Sequence, residues 1–244
     1  MHDPQRPRRA GPPHNPGVRD LVAAKRHWSK PPQPPERELS QLAAADAAKL
    51  KLGFRGWHER GYLPHRDEPG LTQFITFHLE DSFPVALQSE WAALLEVEDD
   101  LERREQLQAY LDKGKGECHL RRSDIGRMVE QAFQFYHGRW YDLLAWAVMP
   151  NHVHALLTVG TTSLSKIVKE IKRYTAREAN RMLHRQGAFW AEDYWDTYMR
   201  DSAHEVRTRG YIENNPVNAF LVREAKEWPW NSARLRDEYG VLRL

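Results

Sequence analysis

The stretch Tyr141–Val159 restricts the fold of this chain more than any other. Two strand-length runs, Tyr141 to Met149 and about His152 to Val159, are separated only by Pro150-Asn151. Proline and asparagine are turn formers, so the pair is expected to fold as an antiparallel hairpin. The flanking sequence supplies the rest of a sheet. Leu71 to His78 reads as a strand through Phe74, Ile75, Thr76 and Phe77. Ser123 precedes a helical pattern that ends near Gly138, and Ser163 or Ser165 opens a long helix to about Arg185. After Gly187 come a short strand candidate, Tyr194 to Arg200, and a final helix capped by Ser202. That helix is expected to stop at Asn215, because Pro216 disfavours helical geometry in the residue before it. The order β-α-β-β-α-β-α is a split βαβ arrangement, which predicts an α+β, ferredoxin-like antiparallel sheet with helices packed on it.

The remainder of the 244 residues reads as extensions and an insertion. Residues 1–35 hold nine of the fifteen prolines and seven Arg or Lys against Asp3 and Asp20. Such a segment buries too little apolar surface to fold alone, which predicts a basic arm, either a solvated tail or a phosphate-attracting one. Residues 36–60 read as a helical extension through Leu39, Leu42 and Leu50, and Gly61 to Gly70 as a loop. Within the main domain, 61–244, an acidic helical insertion is expected at about 84–112. It carries Leu87, Trp91, Leu94 and Leu95 among Glu90, Glu96, Glu98, Asp99 and Asp100. Cys118 is the only cysteine, which excludes an internal disulfide and a thiolate-rich zinc site. No run approaches a membrane span and no apolar signal core opens the chain, so the expected setting is the cytoplasm.

Chemistry is suggested by His152 and His154. On a strand, period-two alternation sends both imidazoles to one face and Val153, Ala155 and Leu157 to the other, so the pair can share one metal ion. In a chain with twelve histidines, core or surface roles compete with that reading. Two imidazoles alone suit Zn²⁺, Fe²⁺ or Mn²⁺. A histidine-triad nucleotide hydrolase would need a third histidine where Leu156 stands. On the final helix, Tyr211 and Asn215 are four residues apart and share a face. A core aromatic is the plain alternative for Tyr211, and Tyr174 is a rival nucleophile whose i+4 neighbour, Glu178, is an acid.

The hairpin sequence DLLAWAVMPNHVHALLTV closely resembles the signature of the HUH single-tyrosine transposases, in particular the REP-associated tyrosine transposases of bacteria. GYLPH, TFHLEDSFP, IKRYTAREANR, WAEDYWDTYMRD, YIENNPVNAFLV and WPWNSA also match, in the family's order, over roughly Gly61 to Ala233. The resemblance implies a single-stranded DNA endonuclease and strand transferase acting on hairpin-bearing repeats. It implies Tyr211 as nucleophile, leaving a 3′-OH and a 5′-phosphotyrosine. It also implies His152, His154 and Asn215 as ligands of Mg²⁺ or Mn²⁺, Asn215 standing where many relatives carry Gln. Hairpin or palindromic single-stranded DNA is the expected partner, with the protein a monomer or homodimer. A non-catalytic single-strand-binding or regulatory protein that keeps the fold is the alternative.

DNA contacts are expected from a basic stripe at helical spacing, Lys166, Lys169, Arg173, Arg177 and Arg181. A solvated face is the usual reading of such charges. Trp190 and Trp195 belong to an aromatic cluster that either stacks on unpaired bases or closes the core.

Overall fold

The structure is a computed structural model, and it describes residues 45–60, 63–82, 106 and 108–244. The expected N-terminal arm, the first part of the helical extension and most of the acidic insertion lie outside the described residues. Residues 45–51 are helical, but the extension does not stay helical to residue 60. Strand β1 (Gly56–Arg60) pairs antiparallel with β2 (Leu63–Asp67), where the sequence suggested a loop. Pro64 was part of that suggestion. In a two-stranded ribbon each strand has an open edge, so a residue without an N–H is tolerated.

The central sheet has four antiparallel strands in the order β4-β5-β3-β6. These are β3 (Thr72–His78), β4 (Tyr141–Val148), β5 (His152–Val159) and β6 (Trp195–Tyr198). Helices α1 (Ser123–Tyr136), α2 (Leu164–Met182) and α3 (Ser202–Asn218) follow β3, β5 and β6. This is the α+β order read from the sequence, and the sheet order is that of a split βαβ unit.

The two sheet faces have different jobs. Ile75, Phe77, Trp146, Val148, Val153, Ala155 and Leu157 point to one face, where they form the main core with Val129 and Phe133 of α1 and Ile167, Val168 and Ile171 of α2. These side chains are almost fully buried, each contributing about 1.5–3 kcal/mol in area terms. A register irregularity between Leu143 and Ala145 changes the alternation of β4. Ala145 and Ala147 therefore point the other way, with Leu156, and meet Ile212 of α3. His152 and His154 share the parity of Leu156, so α3 covers the histidine face while α1 and α2 cover the opposite one.

Local details depart from the sequence reading in two places. Asp201, not Ser202, caps α3, its carboxylate accepting from the His204 N–H at 2.7 Å. The helix also runs through Pro216 to Asn218 instead of stopping at Asn215. Pro216 is buried, and the Ala219 N–H and Leu221 N–H bond to the carbonyls of Asn215 and Pro216. Tertiary packing and these last-turn bonds override the proline's local preference.

The segment after α3 returns to the outer side of β4. His137 Nδ1 accepts from the Leu143 N–H, and Arg236 Nη2 donates to the Leu144 carbonyl. Ser232 Oγ accepts from the Trp146 N–H, the Trp230 carbonyl accepts from the Val148 N–H, and Trp228 Nε1 donates to the Val148 carbonyl. The segment is anchored to α3 as well: Asn231 Nδ2 donates to the Glu213 carbonyl, and Ser232 Oγ and Arg236 Nε donate to Glu213 Oε1. Trp230 lies against Gly126 of α1, where a Cβ would meet its ring at 2.7 Å and the Leu120 carbonyl oxygen at 2.8 Å.

Candidate active site

Strand β5 opens directly from the Pro150-Asn151 turn, so the first two inward positions of the α3-covered face are His152 and His154. Their Nε2 atoms are 3.1 Å apart, and both residues are fully buried. Burial holds both imidazoles below the ordinary range, His154 to about 3, with the neighbouring rings of His154 and His78 adding to the effect at His152. Both are therefore neutral at pH 7.

The outer nitrogens are held. Asn151 Nδ2 donates to the Lys115 carbonyl at 3.0 Å, which fixes the amide orientation and turns Oδ1 toward His152. His152 Nδ1 lies 2.8 Å from that oxygen, so it carries the proton and Nε2 keeps its lone pair. His154 Nδ1 is 2.8 Å from Thr76 Oγ1, its cross-strand neighbour in β3. Thr76 can accept or donate, so His154 can present a second lone pair. Two lone pairs facing each other across 3.1 Å repel unless a proton or a cation sits between them. Such outer partners commonly set the tautomer of metal-binding imidazoles.

Helix α3 brings Tyr211 and Asn215 to the same place. The Tyr211 ring lies edge-on to His154 at 5.9 Å between centroids and edge-on to Phe74 at 6.0 Å. Burial, with the Asp112 carboxylate nearby, pushes its phenol well above the ordinary range, while the Asn215 amide acts the other way. Asn215 is fully buried beside Tyr211 and His152, yet neither amide atom completes a hydrogen bond of good geometry. A buried amide left so costs about 1–3 kcal/mol. A buried amide without a completed hydrogen bond beside imidazole lone pairs fits a cation, so the residues present suit the divalent metal that the resemblance implies. Among the described residues, no group of three or more His, Cys, Asp or Glu side chains stands close enough together to hold an ion.

The other expected site residues lie elsewhere. Lys166, Lys169, Arg173, Arg177 and Arg181 are on α2, which covers the opposite face of the sheet, so the basic stripe does not flank the histidines. Arg173 pairs with Glu170, and Arg177 and Arg181 pair with Glu178. Lys166 and Lys169 line a cleft of about 790 Å³ with Arg55 and Glu192. Tyr174, on α2, is separated from the histidines by the sheet. Trp190 is corrected from base stacking to core: it is buried, its Nε1 donates to Thr175 Oγ1 at 2.9 Å, and it packs edge-on against Phe77. Trp195 is half-buried and stacks on His78 at 5.3 Å.

Two residues were missed as functional. Asn151 was read only as a turn former, and Thr76 only as a strand residue. Their signal is adjacency: Asn151 precedes His152, and Thr76 pairs with His154 once the β3–β5 register is known.

The sequence model of the IS200-like transposase family matches residues 119–215, the span that carries both histidines, Tyr211 and Asn215. Over that span the chain is similar to the IS200-like transposases. Solved structures similar to this chain include a REP-associated tyrosine transposase bound to a REP hairpin. It is 18% identical over 72% of this chain and 82% of that one, with a TM-score of 0.43. A protein of Deinococcus radiodurans R1 assigned as a transposase is 17% identical over 65% of this chain and 96% of that one, with a TM-score of 0.28. No curated protein matches the chain. The matched span begins at the 3-10 turn His119–Arg121 and ends on α3, so β3, which supplies Thr76, lies outside it.

Proposed function

We propose that this protein cuts and rejoins single-stranded DNA bearing hairpins, through a 5′-phosphotyrosine on Tyr211 and with a divalent cation held by His152, His154 and Asn215. The observation that carries the reading is the unpartnered, fully buried Asn215 amide beside two inward-facing imidazole nitrogens and the Tyr211 ring.

A bound divalent cation would polarise a non-bridging phosphate oxygen and offset charge as the transition state forms. Tyr211 Oη attacks phosphorus, forming the O–P bond as the bond to the 3′-oxygen breaks and releases a 3′-OH. Its raised pKa keeps the phenol protonated in the free enzyme, so the proton leaves only as the attack begins. The edge-on contacts with His154 and Phe74 set the position of the Tyr211 ring relative to the histidines. Asn151 and Thr76 hold the imidazoles in one orientation and tautomer. The phosphotyrosine keeps the energy of the broken bond, so attack by another 3′-OH rejoins a strand without ATP.

The test is Tyr211→Phe, which removes one oxygen. Wild-type protein with Mg²⁺ or Mn²⁺ and a hairpin-bearing oligonucleotide should give a denaturation-resistant adduct carrying the piece downstream of the cut. Phe at 211 should give no adduct and still shift the oligonucleotide in a gel, while Tyr174→Phe retains the adduct. The reading would be falsified if Tyr211→Phe still formed it. Tight binding with no adduct from wild-type protein would favour a binding role instead.

A further inference from the structure

We infer that the end of the acidic insertion completes this site, Asp112 supplying a carboxylate oxygen to the same cation. The inference rests on the metal reading given above and extends it to a residue outside the matched span.

The geometry is local and specific. Asp112 Oδ1 lies 3.7 Å from His152 Nε2, the nitrogen that keeps its lone pair. Two neighbouring ligands of one ion, each about 2.0–2.2 Å from it, stand roughly 3.0–3.6 Å apart. The observed separation is a few tenths of an ångström beyond that. Oδ1 currently accepts from Gln108 Nε2 at 2.7 Å, and Gln108 Nε2 is itself 3.4 Å from His152 Nε2. Gln108 and Asp112, four residues apart on the last turn of the insertion, thus face the histidine pair together. To ligate the ion the carboxylate would exchange the Gln108 hydrogen bond for it. The side chain is 25% exposed, so it is partly desolvated yet still reached by solvent.

Ligand chemistry points the same way. Two imidazoles alone suit Zn²⁺, Fe²⁺ or Mn²⁺, whereas Mg²⁺ prefers oxygen and Mn²⁺ accepts it readily. Asp112 and the Asn215 carbonyl would make the set two nitrogens and two oxygens, with one negative charge, and leave positions for water and phosphate. His152 and His154 are inward positions of one strand, Asn215 is on α3, and Asp112 comes from the insertion. A site built this way closes only when the insertion's last turn is docked.

Mn²⁺ titration of the full chain, followed by the electron paramagnetic resonance of free Mn²⁺, tests the assignment without DNA. Asp112→Asn should weaken Mn²⁺ binding tenfold or more, Asp112→Glu should recover part of the loss, and Glu170→Gln, on the opposite side of the sheet, should bind as wild type. His152→Ala should abolish binding. Unchanged affinity in Asp112→Asn, with loss in His152→Ala, overturns the role of Asp112 and leaves the histidine site standing. Unchanged affinity in both overturns the cation site itself. Metal-free melting of each variant separates a lost ligand from a lost fold, and Asp112→Glu carries the test if Asp112→Asn does not fold.

Discussion

Acid should weaken the metal-free domain through its buried histidines. His154 and His78 are both nearly inaccessible, and burial lowers their pKa values from 6.5 to about 3 and about 4. Between those values and 6.5 the unfolded chain binds protons that the folded chain refuses, so stability falls as pH falls. The loss begins at the unfolded pKa and levels off below the folded one. Each histidine contributes about 1.4 kcal/mol per pH unit within that window. From pH 6.5 to 4.5 this sums to about 2 kcal/mol for each residue, a large share of the ~5–15 kcal/mol that holds a typical domain together. His152 is shifted in the same direction and adds to the loss. Urea unfolding in EDTA at pH 6.5, 5.5 and 4.5 measures it, with His154→Gln as comparison because the amide does not titrate. The slope of stability against pH should be shallower in His154→Gln by about 1.4 kcal/mol per unit. Equal slopes in the two proteins would refute the argument.

The interior glycine of α1 gives a second prediction: Gly126→Ala gains about 1 kcal/mol of helix propensity but forces Trp230 off the helix, so thermal unfolding should show net destabilisation of about 1–2 kcal/mol; a raised melting temperature would show that Trp230 can give way. Neutralising Arg173 and Arg177 together should leave binding of a short oligonucleotide spanning only the cut unchanged, while the salt slope for a longer strand falls by about 0.7 per lost phosphate contact. Equal loss on both DNAs would place α2 beside the cut after all.

The sheet and its helices were legible because their signals are local. Alternating apolar residues and a Pro-Asn turn define β4 and β5, and the apolar faces of α1 and α2 repeat at helical spacing. The β1–β2 ribbon was not legible, since β1 falls at the end of a stretch with helical spacing, Gly61, Pro64 and Gly70 imitate a loop, and only pairing shows otherwise. Nor was the passage of α3 through Pro216, which depends on burial against the sheet. His152, His154, Tyr211 and Asn215 could be named from sequence because strand and helix periods put each pair on one face. The side of the sheet on which α2 lies could not be, because helical spacing fixes which residues share a stripe and not which face of the sheet the helix covers. Asp112 gave no signal at all, standing forty residues before His152 in an acidic stretch where one carboxylate looks like another.

The bonding along the outer side of β4 has a consequence for assembly. An outermost strand normally offers unpaired N–H and C=O groups on which another sheet can grow. Here the N–H groups of Leu143, Trp146 and Val148 and the carbonyls of Leu144 and Val148 are already engaged by His137 and by residues 228–236 of the same chain. A second copy cannot extend the sheet at that strand without first displacing a stretch pinned to Glu213 on the very helix that carries Tyr211. Strand addition there and an ordered nucleophile are thereby made mutually exclusive, and any pairing of copies that keeps the enzyme intact has to use another surface.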